Sequence, residues 1–310
     1  MFNPKFVFVV AGIFTIYFFF ATMQEKLLKG VYGDGDKFVF VMTLLFVNAM
    51  VCYPYTLFIR AIDPYTVEKP ISTLCFCALA LLQILAMSSS FMALQWISYP
   101  AQVLAKSSKP IPVMLTAVIS GQKSYPLRKY IIVFLIVFGV GTFFYNSEKA
   151  AASQSTLGIG ELLLALSLLM DGILNSLQEK LMFKHKPNSN YLMMETNKWV
   201  ILMTFAIIVL SGEGLECFKF VQKYPSSLTL IFGMSICAAL GQYFIYKGII
   251  EFGTLSVSVI TTVRKFFTVL SSVILFGHSL HLRQWMAVLC VFSGLLLDTY
   301  FGKGTKKAMK

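Results

Sequence analysis

The chain has 310 residues, 57% of them hydrophobic and only 13% charged, with 29 Phe and a net charge of +12. A soluble domain is nearer a quarter charged, so a soluble globular protein is excluded, and apolar runs of spanning length recur from end to end. Outside the short tail no Lys/Arg run of nucleic-acid-binding length occurs, so the positive balance is read as membrane topology and not as nucleic-acid binding.

Ten spans are predicted in chain order: about 5–23, 38–59, 71–93, 98–119, 127–146, 157–181, 193–211, 226–249, 255–277 and 282–301. Backbone groups in lipid must be satisfied within the segment, so the spans are expected to be helices. Pro, Gly and charge clusters separate them, as at Asp63-Pro64, Lys69-Pro70 and Gly212-Glu213-Gly214. No small-residue cleavage pattern ends the first run, which is read as the first helix and not as a signal peptide. Lys and Arg are more frequent on the side of the N-terminus, which places both termini in the cytosol. The six Cys form no CxxC and are read as buried small hydrophobes.

The two halves repeat. Gln24-Glu25-Lys26-Leu27 recurs as Gln178-Glu179-Lys180-Leu181 at an offset of 154. Leu127-Arg128 recurs as Leu282-Arg283, Gly139 as Gly294 and Tyr145 as Tyr300, all at 155. Residues 1–150 and 151–310 are therefore expected to be five-helix repeats of one transport domain. Five is odd, so the second repeat enters the membrane in the opposite sense, the plan of secondary transporters with a site near the midplane. The fold class expected is an all-α polytopic membrane protein of ten transmembrane helices in two inverted repeats.

Four cations sit inside the apolar runs, at matching places in the halves: Lys106 and Lys109 in span four, Arg264 and Lys265 in span nine. A cation at bilayer depth costs several kcal/mol or more unless it meets water, a partner or an anion. Lys106 and Lys109 share one helix face with Gln102, and Pro110 and Pro112 should break that helix. Arg264 offers a planar fork suited to phosphate, and Thr261 and Thr262 can add hydroxyl donors. The competing reading is a structural network with the membrane-depth acids Glu25, Asp171, Glu179, Glu251 and Asp298. Of these Glu25 is the best placed partner. It is either an interfacial ion pair or a counter-charge that holds the site cations when no substrate is bound.

At these residues the chain resembles the nucleotide-sugar transporter family of the drug/metabolite transporter superfamily. The likeness is greatest to the B subfamily of solute carrier family 35, the endoplasmic-reticulum group of UDP-galactose-transporter-like proteins, which includes an ATP/ADP exchanger. The stretches that carry it include Gln24-Glu25-Lys26, Ala93-Leu94-Gln95, Gln102-Val103-Leu104, Lys109-Pro110-Ile111-Pro112, Asp171-Gly172 and Arg264-Lys265-Phe266-Phe267. The resemblance implies ten helices, both termini cytosolic, and antiport by alternating access. It implies that Lys106, Lys109, Arg264 and Lys265 contact the nucleotide phosphates and that Gln24, Glu25 and Gln102 line the same cavity, with no cofactor. The tail departs from the group's di-lysine pattern, with Ala308 after Lys306 and Lys307.

Other motifs are weaker. Asp34-Gly35-Asp36 spells a metal-binding DxD but reads as a polar turn, and His278 and His281 have no Cys or carboxylate cluster nearby. Tyr99 and Trp96 could stack a base or sit at the membrane interface. No catalytic constellation marks an enzyme. A membrane-embedded glycosyl- or acyltransferase and a non-transporting scaffold stay open as alternatives to a transporter of nucleotides or nucleotide sugars seated in membrane lipid.

Overall fold

A computed structural model describes residues 4–33, 35–62, 64, 71–108, 111–112, 114, 126–144, 158–185, 189–277 and 280–301. The helices are α1 (Pro4–Lys29), α2 (Val41–Ile62), α3 (Thr73–Ala93), α4 (Tyr99–Ser107), α5 (Leu127–Phe144), α6 (Ile159–His185), α7 (Ser189–Ser211), α8 (Glu213–Lys223), α9 (Pro225–Phe276) and α10 (Leu282–Phe301). Among the described residues six helical stretches are long and apolar enough to cross a membrane, in α1, α2, α3, α6, α7 and the start of α9. Large apolar side chains point outward, with Leu74 78%, Phe134 70% and Leu210 87% exposed. That surface suits lipid and not water. The molecule is a multi-pass membrane protein.

Spans eight and nine, expected to be separate, are one helical run of 52 residues in α9. A straight helix of that length would measure about 78 Å, against a hydrocarbon core of about 30 Å. The contacts show that it folds back. A Cβ on Gly248 would lie 2.9 Å from Val257 Cγ2, although nine residues of straight helix extend about 14 Å. The first limb runs antiparallel to α1, with Gly233 against Met23, Gly241 against Tyr17 and Phe244 against Gly12. The second runs parallel to it, with Ile260 beside Val9 and Ile13, Arg264 over Tyr17 and Ser272 bonded to Glu25. No Pro occurs after Pro225 in this run, so nothing removes a backbone donor at the bend.

Helices α5 and α10 form an antiparallel seam. Gly139 meets Val291 and the Ala287 carbonyl, and Gly294 meets Ile136, Leu135 and the Ile132 carbonyl. Cys290 Sγ donates to the Leu135 carbonyl at 3.5 Å, and Lys129 pairs with Asp298 where the helices end. The contacts are reciprocal at an offset of 155: 139 touches 291, and 294 touches 136. Contact across a two-fold axis has that form. Elsewhere α1 packs on α9, α3 on α6, α2 on α7 and α9, and α3 also on α7.

The expected polar turn around Asp36 is a two-stranded hairpin, β1 (Val31–Tyr32) with β2 (Asp36–Lys37), turned through Gly33 (φ 49°) and Gly35 (φ 113°). It rests on α8, a short helix between α7 and α9 where a loop was expected. Glu213 and Glu216 in its first turn and Lys223 in its last complement the helix dipole. Glu213 Oε1 accepts from the Thr43 backbone N–H at 2.8 Å, Phe220 packs on Tyr32, Phe38 and Phe40, and Lys223 Nζ lies 2.7 Å from Asp36 Oδ2. Hydrogen bonds from Lys223 and then Tyr224 hold the Asp36 carboxyl below its ordinary range. A depressed carboxylate contributes stability that is present above the usual Asp pKa and lost as acid protonates it. Amide exchange in 31–37 is thus expected to stay slow from neutral pH down through the usual Asp range and to accelerate only below it. Asp36→Asn should abolish that pH step, and a step that survives the substitution would assign it to another group.

Candidate functional site

Helix α4 starts where Ser98 is extended (φ −73°, ψ 154°) and Pro100 fills the first turn, a position that needs no amide donor. It ends early. The Ser108 N–H and hydroxyl both donate to the Ala105 carbonyl, at 2.9 and 2.5 Å. The Ile111 N–H then returns to the Ser108 carbonyl at 2.9 Å. Pro112 packs directly on Gly172 of α6, where a Cβ would come within 2.7 Å of Pro112 Cβ and 3.1 Å of its carbonyl oxygen. The break expected from the prolines is present, and a glycine accommodates it. Lys109 and Pro110 lie outside the described residues, as do Asp34, His278, the tail and the side chains of Glu179 and Glu251.

Lys106, at the end of α4, donates to Asp171 Oδ2 at 2.6 Å and to Ser167 Oγ at 2.5 Å. Ser167 donates onward to the Ala86 carbonyl, which ties α4, α6 and α3 together. Glu25 was the expected partner of the site cations; for Lys106 the partner is Asp171. Asp298, another expected partner, belongs to Lys129. Gln102, one turn before Lys106, donates Nε2 to the Ser90 carbonyl and hydroxyl at 2.7 and 2.9 Å. It clamps α4 to α3.

A cavity of about 370 Å³ lies between α1 and the second limb of α9. Its polar lining includes Glu25, Tyr99, Arg264, Thr268 and Ser272, set among phenylalanines such as Phe14 and Phe267. The α9 contributors recur at helical spacing (264, 268, 271, 272, 275), so Arg264 falls on the cavity-lining stripe, while Lys265 falls beside it and Thr262 on the face turned away. The Arg264 guanidinium carbon stands 4.0 Å from the Tyr17 ring centroid. Its Nε is buried with no hydrogen-bond partner. Among the described residues no carboxylate lies within 4 Å of it. Glu25, 1% exposed, accepts the Ser272 hydroxyl at 2.6 Å, and Gln24 Oε1 accepts from the Tyr99 hydroxyl at 3.2 Å. The site is thus a half-buried guanidinium stacked on an aromatic face, with its Nε buried, and with a carboxylate and several hydroxyls around an apolar-walled space.

Of the predicted residues, Arg264 and Glu25 line the cavity and Gln24 is one hydrogen bond away through Tyr99. Lys106 and Gln102 lie on the α3–α6 side of α4. Tyr17, Ser272 and Ser167 were not anticipated.

The profile of the UAA transporter family matches residues 5–302. The chain belongs to the UAA transporter family. It is 42% identical over 301 residues to solute carrier family 35 member B1 of Gallus gallus, a match covering 96% of this chain and 92% of the relative. The rat protein of the same name is also 42% identical, with 96% and 93% covered. The Drosophila melanogaster homolog is 38% identical over 311 residues, with 97% and 91% covered. These relatives are solute carriers, so this family member is a transporter and not an enzyme. The transferase and scaffold readings fall on that finding.

Proposed function

We propose that the protein is an antiporter that moves nucleotides or nucleotide sugars across the endoplasmic reticulum membrane by alternating access. Its two inverted five-helix repeats (1–150 and 151–310) would form one transport domain with both termini in the cytosol. Arg264 carries this reading: a half-buried cation whose Nε is buried without a hydrogen-bond partner, beside a cavity of small-molecule size, with no carboxylate within 4 Å among the described residues. Such a group is costly unless an anion completes it, and a guanidinium is suited to phosphate oxygens. Lys106, Lys109 and Lys265 add the remaining phosphate contacts, and Glu25, Gln24, Gln102 and Thr262 complete the lining as the spans close. The reciprocal α5–α10 seam supports the inverted repeat. So does the neighbour pattern, because α1 on α9 corresponds to α6 on α3, and α2 on α9 to α7 on α3. The compartment rests on the family resemblance.

The substrate pair is ATP for ADP, or UDP-galactose or UDP-glucose for UMP. Purified protein in proteoliposomes decides between them. Labelled ADP and labelled UDP-glucose are taken up into vesicles preloaded with each unlabelled nucleotide or left empty, with ATP, ADP, UDP-galactose and UDP-glucose as competitors. Uptake several times faster into preloaded vesicles is expected. Equal uptake into empty vesicles would overturn exchange.

A further inference from the structure

We infer that Asp171 is an internal competitor for the substrate's phosphate: it holds the Lys106 ammonium in the empty carrier, and a bound anion takes that ammonium from it. This rests on the transport reading and adds the group that occupies the substrate's place between cycles.

The pair joins the two halves, with Lys106 on α4 and Asp171 on α6. Their side chains are 20% and 7% exposed, and they meet at 2.6 Å. Asp171 is held in turn, since Asn175 Nδ2 donates to its backbone carbonyl at 2.6 Å. The next residue, Gly172, is where Pro112 beyond the break in α4 packs. Any shift of that broken segment against α6 therefore moves Lys106 relative to Asp171.

The opposite half carries a different residue at the place that matches Asp171. Tyr17 precedes Asp171 by 154, the offset of the Gln-Glu-Lys-Leu repeat, and it meets Arg264 with its ring face. Arg264 thus stacks on a ring with no carboxylate within 4 Å among the described residues, Glu25 lying elsewhere in the cavity lining, whereas Lys106 is already in the grip of a carboxylate. A polyphosphate reaches Arg264 without displacing an ion, but must outcompete Asp171 for Lys106. The competition lowers affinity. It also keeps Lys106 neutralised while the empty bundle rearranges, so removing one partner strands the other charge.

The test uses the full chain in proteoliposomes with labelled ADP and labelled UDP-glucose as probes. Asp171→Asn should lower KM for the transported probe on the order of fivefold, the scale of one charge-assisted hydrogen bond shared between competitors. The ratio of preloaded to empty-vesicle uptake should rise by a similar factor, because the empty carrier then returns without the Asp171 carboxylate on Lys106. Asp171→Glu should recover most of both. Ser167→Ala, which leaves every charge in place but loosens Lys106, should shift both in the same direction by less. It decides the matter alone if Asp171→Asn does not fold. Asp298→Asn, which removes the partner of Lys129, should move neither. An unchanged or raised KM with only a lower melting temperature would make the pair a structural brace and overturn the proposal. If the unaltered protein exchanges neither probe, the transport reading itself falls and the competitor role falls with it, a result distinct from an unchanged KM in a working carrier.

Discussion

Arg264→Ala is expected to reduce nucleotide exchange by about two to three orders of magnitude while leaving a folded protein. A bidentate contact from guanidinium to phosphate comprises two charge-assisted hydrogen bonds, together worth about 3–4 kcal/mol, and each 1.4 kcal/mol is about tenfold in affinity. The stability side points the other way. Arg264 gives up no carboxylate partner when truncated, only the Tyr17 ring contact, worth about 0.5–2 kcal/mol, and the cost of burying an incompletely bonded cation disappears with it. The melting temperature of the ligand-free protein should therefore change little, while its stabilisation by saturating ADP or UDP-glucose disappears. Arg264→Lys should recover only part of the exchange, because a point charge keeps neither the fork nor the stack on Tyr17. Uptake in proteoliposomes and thermal shift in detergent read both effects. Near-normal exchange by Arg264→Ala would remove the anion site from this cavity.

What the sequence disclosed, and what it hid, follows from the range over which each feature is determined. Membrane helices are local, and so are prolines, and both were legible: apolar runs marked α2, α3, α6 and α7 to within four residues and the start of α1, which runs six residues past its expected end at 23, and Pro110-Ile111-Pro112 announced the break after α4. The proposed repeat needs only a comparison of the chain with itself. The same offset that pairs Gly139 with Gly294 in sequence returns as reciprocal packing between α5 and α10. Choosing among possible partners for a charge is not local. Asp171 stood among five membrane-depth acids in the sequence, and only the packing of α4 on α6 brings it, rather than Glu25, to Lys106. Gln102 shares a helix face with Lys106, yet a carbonyl on α3 claims its amide. The continuity of α9 was not legible, because Gly and small polar residues between 250 and 258 read as a break while the helical run continues through them. Helix α8 is amphipathic but only 11 residues long, too short to register among runs of spanning length, and its apolar face rests on the aromatic hairpin beneath it, so it escaped notice.

The reciprocal seam leads to the second large expectation, which concerns stability and not transport. Gly139 and Gly294, which sit at the 155-residue offset, should respond unequally to the same substitution. A Cβ on Gly139 would fall 2.7 Å from Val291 Cγ2, and also 3.1 Å from the Ala287 carbonyl oxygen and 3.2 Å from the Val291 nitrogen. Two of those three atoms are backbone and cannot turn aside, so α5 and α10 must separate. A Cβ on Gly294 would fall 2.8 Å from Ile136 Cγ1, with its next neighbours at 3.5 and 3.6 Å, so a single side chain has to yield. Overpacking of a tight interface costs about 1–3 kcal/mol, while replacing a helical glycine by alanine gains up to about 1 kcal/mol. Gly294→Ala should therefore be close to neutral, Gly139→Ala destabilising by about 1–2 kcal/mol, and Gly139→Leu by about 3 kcal/mol or more. Thermal unfolding of the purified protein ranks the three. KM for the transported nucleotide should be unaltered in the folded fraction of each, since the seam lines no part of the cavity. Equal costs at the two glycines would mean that α5 and α10 sit farther apart at Gly139 than the contacts with Ala287 and Val291 describe.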